Sequence, residues 1–329
     1  MRILALVPGG IGDQLLFFPT LDDLKATYSD AQIDVVVEPR SQSAYRVSKS
    51  VNDTIVFDFK GSNSLADWGN LLGVIRDREY EIGLALGQRW GVSFLLWLTG
   101  IPVRVGYAGN AIAQLFLTQA VPLNSNQYAA SMYHDLLKGL DIDKPTPELA
   151  ISVPTKDLEW ADAERKRLGI QDGGYVAIHG GASELSRRTG IDKIYPVENW
   201  QKIIQDFQQR QPDLPIVLIK GEDDAEIVSA IVQACPGVKT TSPSNVGQLV
   251  AMIAGASLMI CTDSAPMHLA IAAQTYTLAL FGATDPDQLL PKSNPSELGG
   301  ANRILAIKSP TGKMADISPQ TVLDCVWGG

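Results

Sequence analysis

Thr262-Asp263-Ser264-Ala265-Pro266-Met267-His268-Leu269-Ala270 gathers a carboxylate, a hydroxyl and an imidazole in one short stretch. The apolar run before it, Ala256 to Cys261, reads as a buried strand. The small residues after it, Leu269 to Gln274, read as a helix. Such a turn sits where the open α/β sheet binds ligands, at the C-terminal end of a strand. A helix start presents free N–H groups and the positive end of a dipole, both suited to phosphate. The N–H groups of Ser264, Ala265 and Met267 could cradle one; Pro266 has none to give. A plainer reading has Ser264 capping the helix with Pro266 in its first turn.

A second turn of this kind lies near the start: Pro8-Gly9-Gly10-Ile11-Gly12-Asp13. It follows the apolar stretch Arg2 to Val7 and precedes a helix from about Gln14 to Tyr28, with Leu15, Leu16, Phe18, Leu21 and Leu24 at helical spacing. Gly10 and Gly12 half match a dinucleotide fingerprint, but no third glycine completes it. Asp13 would repel a pyrophosphate there. As a carboxylate aimed into a cleft it suits a general base. The alternative is a helix-start acid held by the dipole. Other glycines stand in His179-Gly180-Gly181-Ala182-Ser183, where a diphosphate could approach the backbone closely. Glu222, Asp224 and Glu226 are acids available to ribose hydroxyls. Solvated acids at a helix start are the default for all three.

These turns need sheets to hold them. Strands read at Ile3–Val7, Ile33–Val37, Thr54–Phe57, Ile82–Ala85 and Val103–Gly106, and again at Tyr175–His179, Pro215–Lys220, Val238–Thr240, Leu258–Cys261 and Tyr276–Phe281. Helices fall between them, so both halves predict parallel sheets with right-handed crossovers. Prolines crowd Lys144–Pro154, which places the boundary between residues 1–150 and 151–329.

Composition excludes several classes. With 329 residues, 45% hydrophobic and 19% charged, the chain can form two well-packed domains. Its formal net charge of −9 argues against nucleic acid as a partner. Cys235, Cys261 and Cys325 show no metal spacing and read as reduced thiols of a cytoplasmic protein. The chain opens on a strand rather than on a signal peptide. No apolar stretch is long enough to span a bilayer.

Several segments, in order along nearly the whole chain, resemble the heptosyltransferase-like glycosyltransferases of family 9. They are "MRILALVPGGIGDQLLFFPTLDDLKATYSDAQIDVVV", "VAIHGGAS", "DKIYPVENW", the acidic turn after "IVLIKG", and "CTDSAPMHLAIAAQTYTLALFGATDP". The resemblance implies a GT-B fold, with two Rossmann-like domains facing across a cleft. The N-terminal domain would hold the acceptor and the C-terminal one the sugar nucleotide. A last helix, Asp316 to Trp327, would cross back to the first domain.

The family also implies inverting transfer without a metal or other cofactor, with Asp13 as base beside the acceptor-side loop of Gly10 and Gly12. Lys193, in Asp192-Lys193-Ile194-Tyr195-Pro196, would meet the donor diphosphate. Asp263 would touch the donor sugar, with His268, Gly181, Ser183, Glu222 and Asp224 also on the donor side. Arg187 and Arg188 lie in a segment, Glu184–Ile191, that is longer than in compact relatives, and could clamp phosphate or stay solvated.

The implied donor is ADP-heptose by default. The implied acceptor is a saccharide or lipid-linked saccharide of a lipopolysaccharide or surface polysaccharide. The implied place is the cytoplasm, with peripheral contact at the inner membrane allowed. Two other classes are weighed: a GT-B protein that binds a nucleotide sugar without transferring it, and a dinucleotide oxidoreductase. The incomplete glycine fingerprint disfavours the second.

Overall fold

An uninterrupted apolar strand lies at the centre of the first sheet. Ile3 to Val7 have no exposed surface, as expected of a central parallel strand covered on both faces. The computed structural model describes residues 1–87, 90–109, 111–170, 174–181, 193–292 and 303–328. It divides into two compact units, Met1–Ser152 and Val153–Gly329.

The first unit runs β1 (Arg2–Val7), α1 (Ile11–Thr27), β2 (Gln32–Val37), β3 (Asp53–Val56), α2 (Leu65–Asp77), β4 (Ile82–Ala85), α3 (Trp90–Thr99), β5 (Val103–Tyr107), α4 (Ala111–Leu115), β6 (Gln119–Val121) and α5 (Ala129–His134). All its strands are parallel, in the order β3-β2-β1-β4-β5-β6. Ala5 stands opposite Val35 on one side and Leu84 on the other. The chain winds outward from β1 to β3, then returns to β4 on the far side of β1. The β1–β4 gap is thus a topological switch point, and the glycine turn after β1 opens onto it.

The second unit repeats the plan: α6 (Thr155–Arg167), β7 (Val176–His179), α7 (Val197–Arg210), β8 (Ile216–Ile219), α8 (Ala225–Ala234), β9 (Lys239–Thr241), α9 (Val246–Ala254), β10 (Leu258–Thr262), α10 (Ala265–Ala272), β11 (Thr277–Phe281), α11 (Pro286–Leu289), β12 (Ile304–Lys308) and α12 (Pro319–Trp327). The parallel order is β12-β11-β10-β7-β8-β9. Its switch point falls between β7 and β10, so His179 and Asp263 emerge side by side.

One expectation is corrected. α1 begins at Ile11 rather than near Gln14, because the Asp13 carboxylate accepts the Gly10 N–H at 2.8 Å and starts the helix earlier. The last helix, α12, packs on α7 of its own unit: Val322 and Leu323 enter the core with Ile203 and Phe207, and the Trp327 indole N–H donates to Asp206 at 2.8 Å. An apolar face already matched by α7 gives the helix its partner there.

Candidate functional site

In the second unit, β10 delivers Asp263 and Ser264 to the start of α10. Asp263 is buried, and its Oδ2 accepts from Lys193 Nζ at 2.7 Å. Lys193 is held there by its neighbours. Tyr195, fully buried, donates its hydroxyl to the Ile317 carbonyl at 2.9 Å and packs edge-on against Trp200. Pro196 then opens α7. The aromatic and the proline of this motif are therefore anchors for the lysine two residues earlier.

Ser264 occupies the N-cap position but makes no cap bond with its side chain. Its hydroxyl instead lies 3.3 Å from His179 Nδ1 and 3.2 Å from the Thr262 carbonyl. His179 Nε2 is 3.0 Å from Asp224 Oδ2, and both residues are buried. A chain Asp224–His179–Ser264 thus links the ends of β7, β8 and β10. Gly181 makes room for it: a Cβ there would lie 1.6 Å from Asp224 Oδ1. Thr262 donates to the Gly181 carbonyl at 3.1 Å and ties this loop to β10.

Asp224 therefore faces inward, while Glu222 and Glu226 are exposed. Of the acids on this turn, Glu222 and Glu226 have carboxylates in solvent, where a ribose could reach them. The Met267 N–H donates to the Ser264 carbonyl at 3.0 Å, and its side chain is in the core. A phosphate at this turn would be left with the N–H groups of Ser264 and Ala265. His268 is buried in α10. Burial, with Asp263 close by, pushes the Cys261 thiol up, so that it stays protonated beneath the turn. Ser183, Arg187 and Arg188 lie outside the described residues.

In the first unit, both carboxylate oxygens of half-buried Asp13 are engaged. Oδ2 accepts from the Gly10 N–H, and Oδ1 accepts from the Tyr133 hydroxyl of α5 at 3.1 Å. Burial and the Asp13 charge hold the Tyr133 phenol well above its usual range, so it remains a donor. A carboxylate has about four lone-pair sites, so two bonds leave capacity for an incoming hydroxyl.

Gly9 is the glycine that the turn demands. Its φ is +135°, and a Cβ would lie 2.4 Å from Asp13 Oδ2. Gly10 is extended and Gly12 lies in the helix. Ser41 pins the loop by donating to the Gly9 carbonyl at 2.8 Å. Tyr133 and Ser41 escaped the sequence reading of this site. The positive φ of Gly9 had its signal in the Pro8-Gly9-Gly10 run.

Residues 68–316 match the model of glycosyltransferase family 9 (heptosyltransferase). The chain belongs to this family. It is 27% identical over 86% of its length to lipopolysaccharide heptosyltransferase 3 of Escherichia coli, covering 84% of that protein. It is also 27% identical, over 98% of its length, to the photosynthetic NDH subunit of subcomplex B 1 of Arabidopsis thaliana, covering 72% of it.

Among solved structures, a family 9 glycosyl transferase from Veillonella parvula superposes with a TM-score of 0.82 at 20% identity, covering 98% of this chain and 95% of the other. An E. coli heptosyltransferase with ADP-2-deoxy-2-fluoro heptose superposes at 0.77 and 18% identity, covering 99% of each. The α/β fold of this family-9 glycosyltransferase is that of the GT-B class. Among the described residues no helix is long and apolar enough to cross a membrane.

Proposed function

We propose that this family-9 chain transfers a sugar, heptose by default, from a nucleotide diphosphate to a hydroxyl of a lipopolysaccharide or surface-polysaccharide precursor. Asp13 takes the hydroxyl proton as the acceptor oxygen attacks the anomeric carbon. The bond from that carbon to the diphosphate breaks on the opposite face, which inverts the configuration. Lys193 and the N–H groups of Ser264 and Ala265 balance the charge gathering on the leaving diphosphate. On this reading no metal takes part.

The observation that carries the reading is the Lys193–Asp263 pair at the β10–α10 turn. It sets a cation for phosphate beside a carboxylate for sugar hydroxyls. A cavity of about 270 Å³ in the same unit, which neither residue lines, is walled by Ile194, Val197, Ile227 and Ala230 with Asp223, Asp224 and Glu226. Apolar walls with a few polar groups suit a nucleoside. The relatives' names supply the default donor and acceptor: an E. coli neighbour is described with an ADP-heptose analogue and a relative as a lipopolysaccharide heptosyltransferase. On this reading the protein works in the cytoplasm, in peripheral contact with the inner membrane that bears its acceptor.

A non-catalytic reading has one observation in its favour, the Arabidopsis relative named as an NDH subunit. Incubation with a panel of nucleotide sugars, ADP-heptose among them, and a lipid A–core acceptor separates the two. Release of the nucleoside diphosphate with a matching mass gain on the acceptor supports transfer. Binding of a nucleotide sugar without turnover on any acceptor would favour the non-catalytic reading.

A further inference from the structure

Four aromatic rings meet on the outside of the first unit. Phe94 stacks on Trp97 at 5.8 Å, Trp90 lies 5.8 Å from Phe94, and Phe116 touches both Phe94 (5.0 Å) and Trp97 (5.7 Å). Cores normally bury such rings, yet Trp90 is 50% and Trp97 48% exposed. Ile112 and Leu115 of α4 are 55% and 78% exposed beside them. α3 contains no charged residue and neither does α4. A contiguous, neutral, aromatic surface on a soluble-looking unit marks an interaction face.

The charge pattern says what lies opposite. Between Glu81 and Asp135 the sequence has no acidic residue, the longest such run in the chain, although 36 of 329 residues are Asp or Glu. Arg89 and Arg104 fall within the run. A chain of net charge −9 is repelled on the whole by an anionic surface, and a stretch that brings no carboxylate of its own adds nothing to that repulsion. Phe and Trp favour the headgroup region of a bilayer, and helices as short as α3 lie in that plane rather than cross it. α3 also begins just beyond the C-terminal end of β4, on the same edge of the sheet as the Asp13 turn after β1.

We infer that α3 and α4 seat this unit on an anionic lipid bilayer, with Trp90, Trp97, Ile112 and Leu115 among the headgroups. The inference deepens the reading of a lipid-linked acceptor and rests on it for its purpose, while its test needs no transfer. Flotation of the full chain with phosphatidylcholine vesicles, with and without phosphatidylglycerol, measures the contact. The wild type should float with the phosphatidylglycerol vesicles. Trp90→Ser with Trp97→Ser should lower partitioning about tenfold or more. Leu115→Glu, at a site too exposed to affect folding, should do the same with an unchanged melting temperature.

A wild type left at the bottom of the gradient, or variants that float as well as it does, would overturn the inference. So would a wild-type dimer in solution that Leu115→Glu dissociates without any change in flotation, since that would assign the face to a second copy. Transfer to a water-soluble, lipid-free acceptor fragment runs in parallel and should be equal in wild type and variants. Absence of turnover there would count against the proposed function and leave the flotation result standing.

Discussion

Lys193 Nζ lies 2.7 Å from Asp263 Oδ2, with the lysine side chain 18% and the aspartate 5% exposed. Before a donor arrives, each therefore neutralises the other. A diphosphate reaching Lys193 adds acceptors to an ammonium that has three N–H groups, so the pair need not break. Lys193→Ala should weaken donor binding by roughly 1–3 kcal/mol, the loss of a charge-assisted contact. It should also lower the melting temperature of the ligand-free protein, because Asp263 is left buried without its cation. Calorimetric titration with the donor, beside a thermal melt, measures both. Unchanged donor affinity removes Lys193 from the site.

Asp13 tests the chemistry. Asn at this position can still accept from Gly10 or Tyr133, so most of the local structure survives. It cannot take a proton at neutral pH. Asp13→Asn should reduce the single-turnover transfer rate about 10²–10⁴-fold, the usual contribution of a general base. Donor affinity should hold, because the donor groups all lie in the second unit. If turnover stays near that of the wild type, Asp13 serves α1 as a helix-start acid and no more.

Much of this was legible in the sequence where physics acts locally. β1, β2, β4, β10 and β11 are mostly apolar and buried on both faces, and their runs announced them within a residue or two. β6 and β12 were missed because they are edge strands: Gln119, Ala120, Leu305 and Ala306 are exposed, so neither shows a buried pattern. α6 was missed because it is dense in charge, with little apolar periodicity to read.

The site divides in the same way. Asp13, Asp263 and Ser264 stood out through their turns. Ser264 looked like a cap because nothing local shows that His179, far off in sequence, takes its hydroxyl. Tyr133 reaches Asp13 across 120 residues, and only the packing of α5 on α1 brings them together. Of the three acids after β8 only Asp224 is buried, and the sequence of that turn does not encode the difference.

Gly181 bears on the Asp224–His179–Ser264 chain. A methyl group there would collide with the Asp224 carboxylate rather than with a yielding side-chain tip in solvent. Gly181→Ala should therefore cost about 1–3 kcal/mol as the overpacked loop shifts, and donor affinity should fall with it. Gly69, in the middle of α2, has nothing near its Cβ direction. Gly69→Ala should be stabilising by about 0.5–1 kcal/mol. Denaturant melts of the two variants compare the sites. Equal effects would show that Gly181 is not confined by Asp224.

The pH dependence of stability follows from buried phenols. Burial raises Tyr45, Tyr80, Tyr107, Tyr128 and Tyr133 in the first unit and Tyr195 in the second. It pushes Tyr175 up to about 12, against the pull of Arg165. The unfolded chain releases these protons near pH 10, its ordinary tyrosine value. Above that pH the folded state holds more protons than the unfolded state, so stability is complete below pH ~10 and falls as pH rises toward the folded values.

Each such tyrosine then contributes up to about 1.4 kcal/mol of loss per pH unit. The melting temperature should be level from about pH 7 to 9 and drop steeply above 10. Tyr128 isolates the effect, since its buried hydroxyl has no hydrogen-bond partner among the described residues. Tyr128→Phe should be neutral or slightly stabilising at pH 7, because an unsatisfied group is removed. It should also flatten the alkaline slope by close to one proton. Melts of wild type and variant from pH 7 to 11 give that slope directly. Identical slopes would mean that Tyr128 ionises as readily in the folded chain as in the unfolded one.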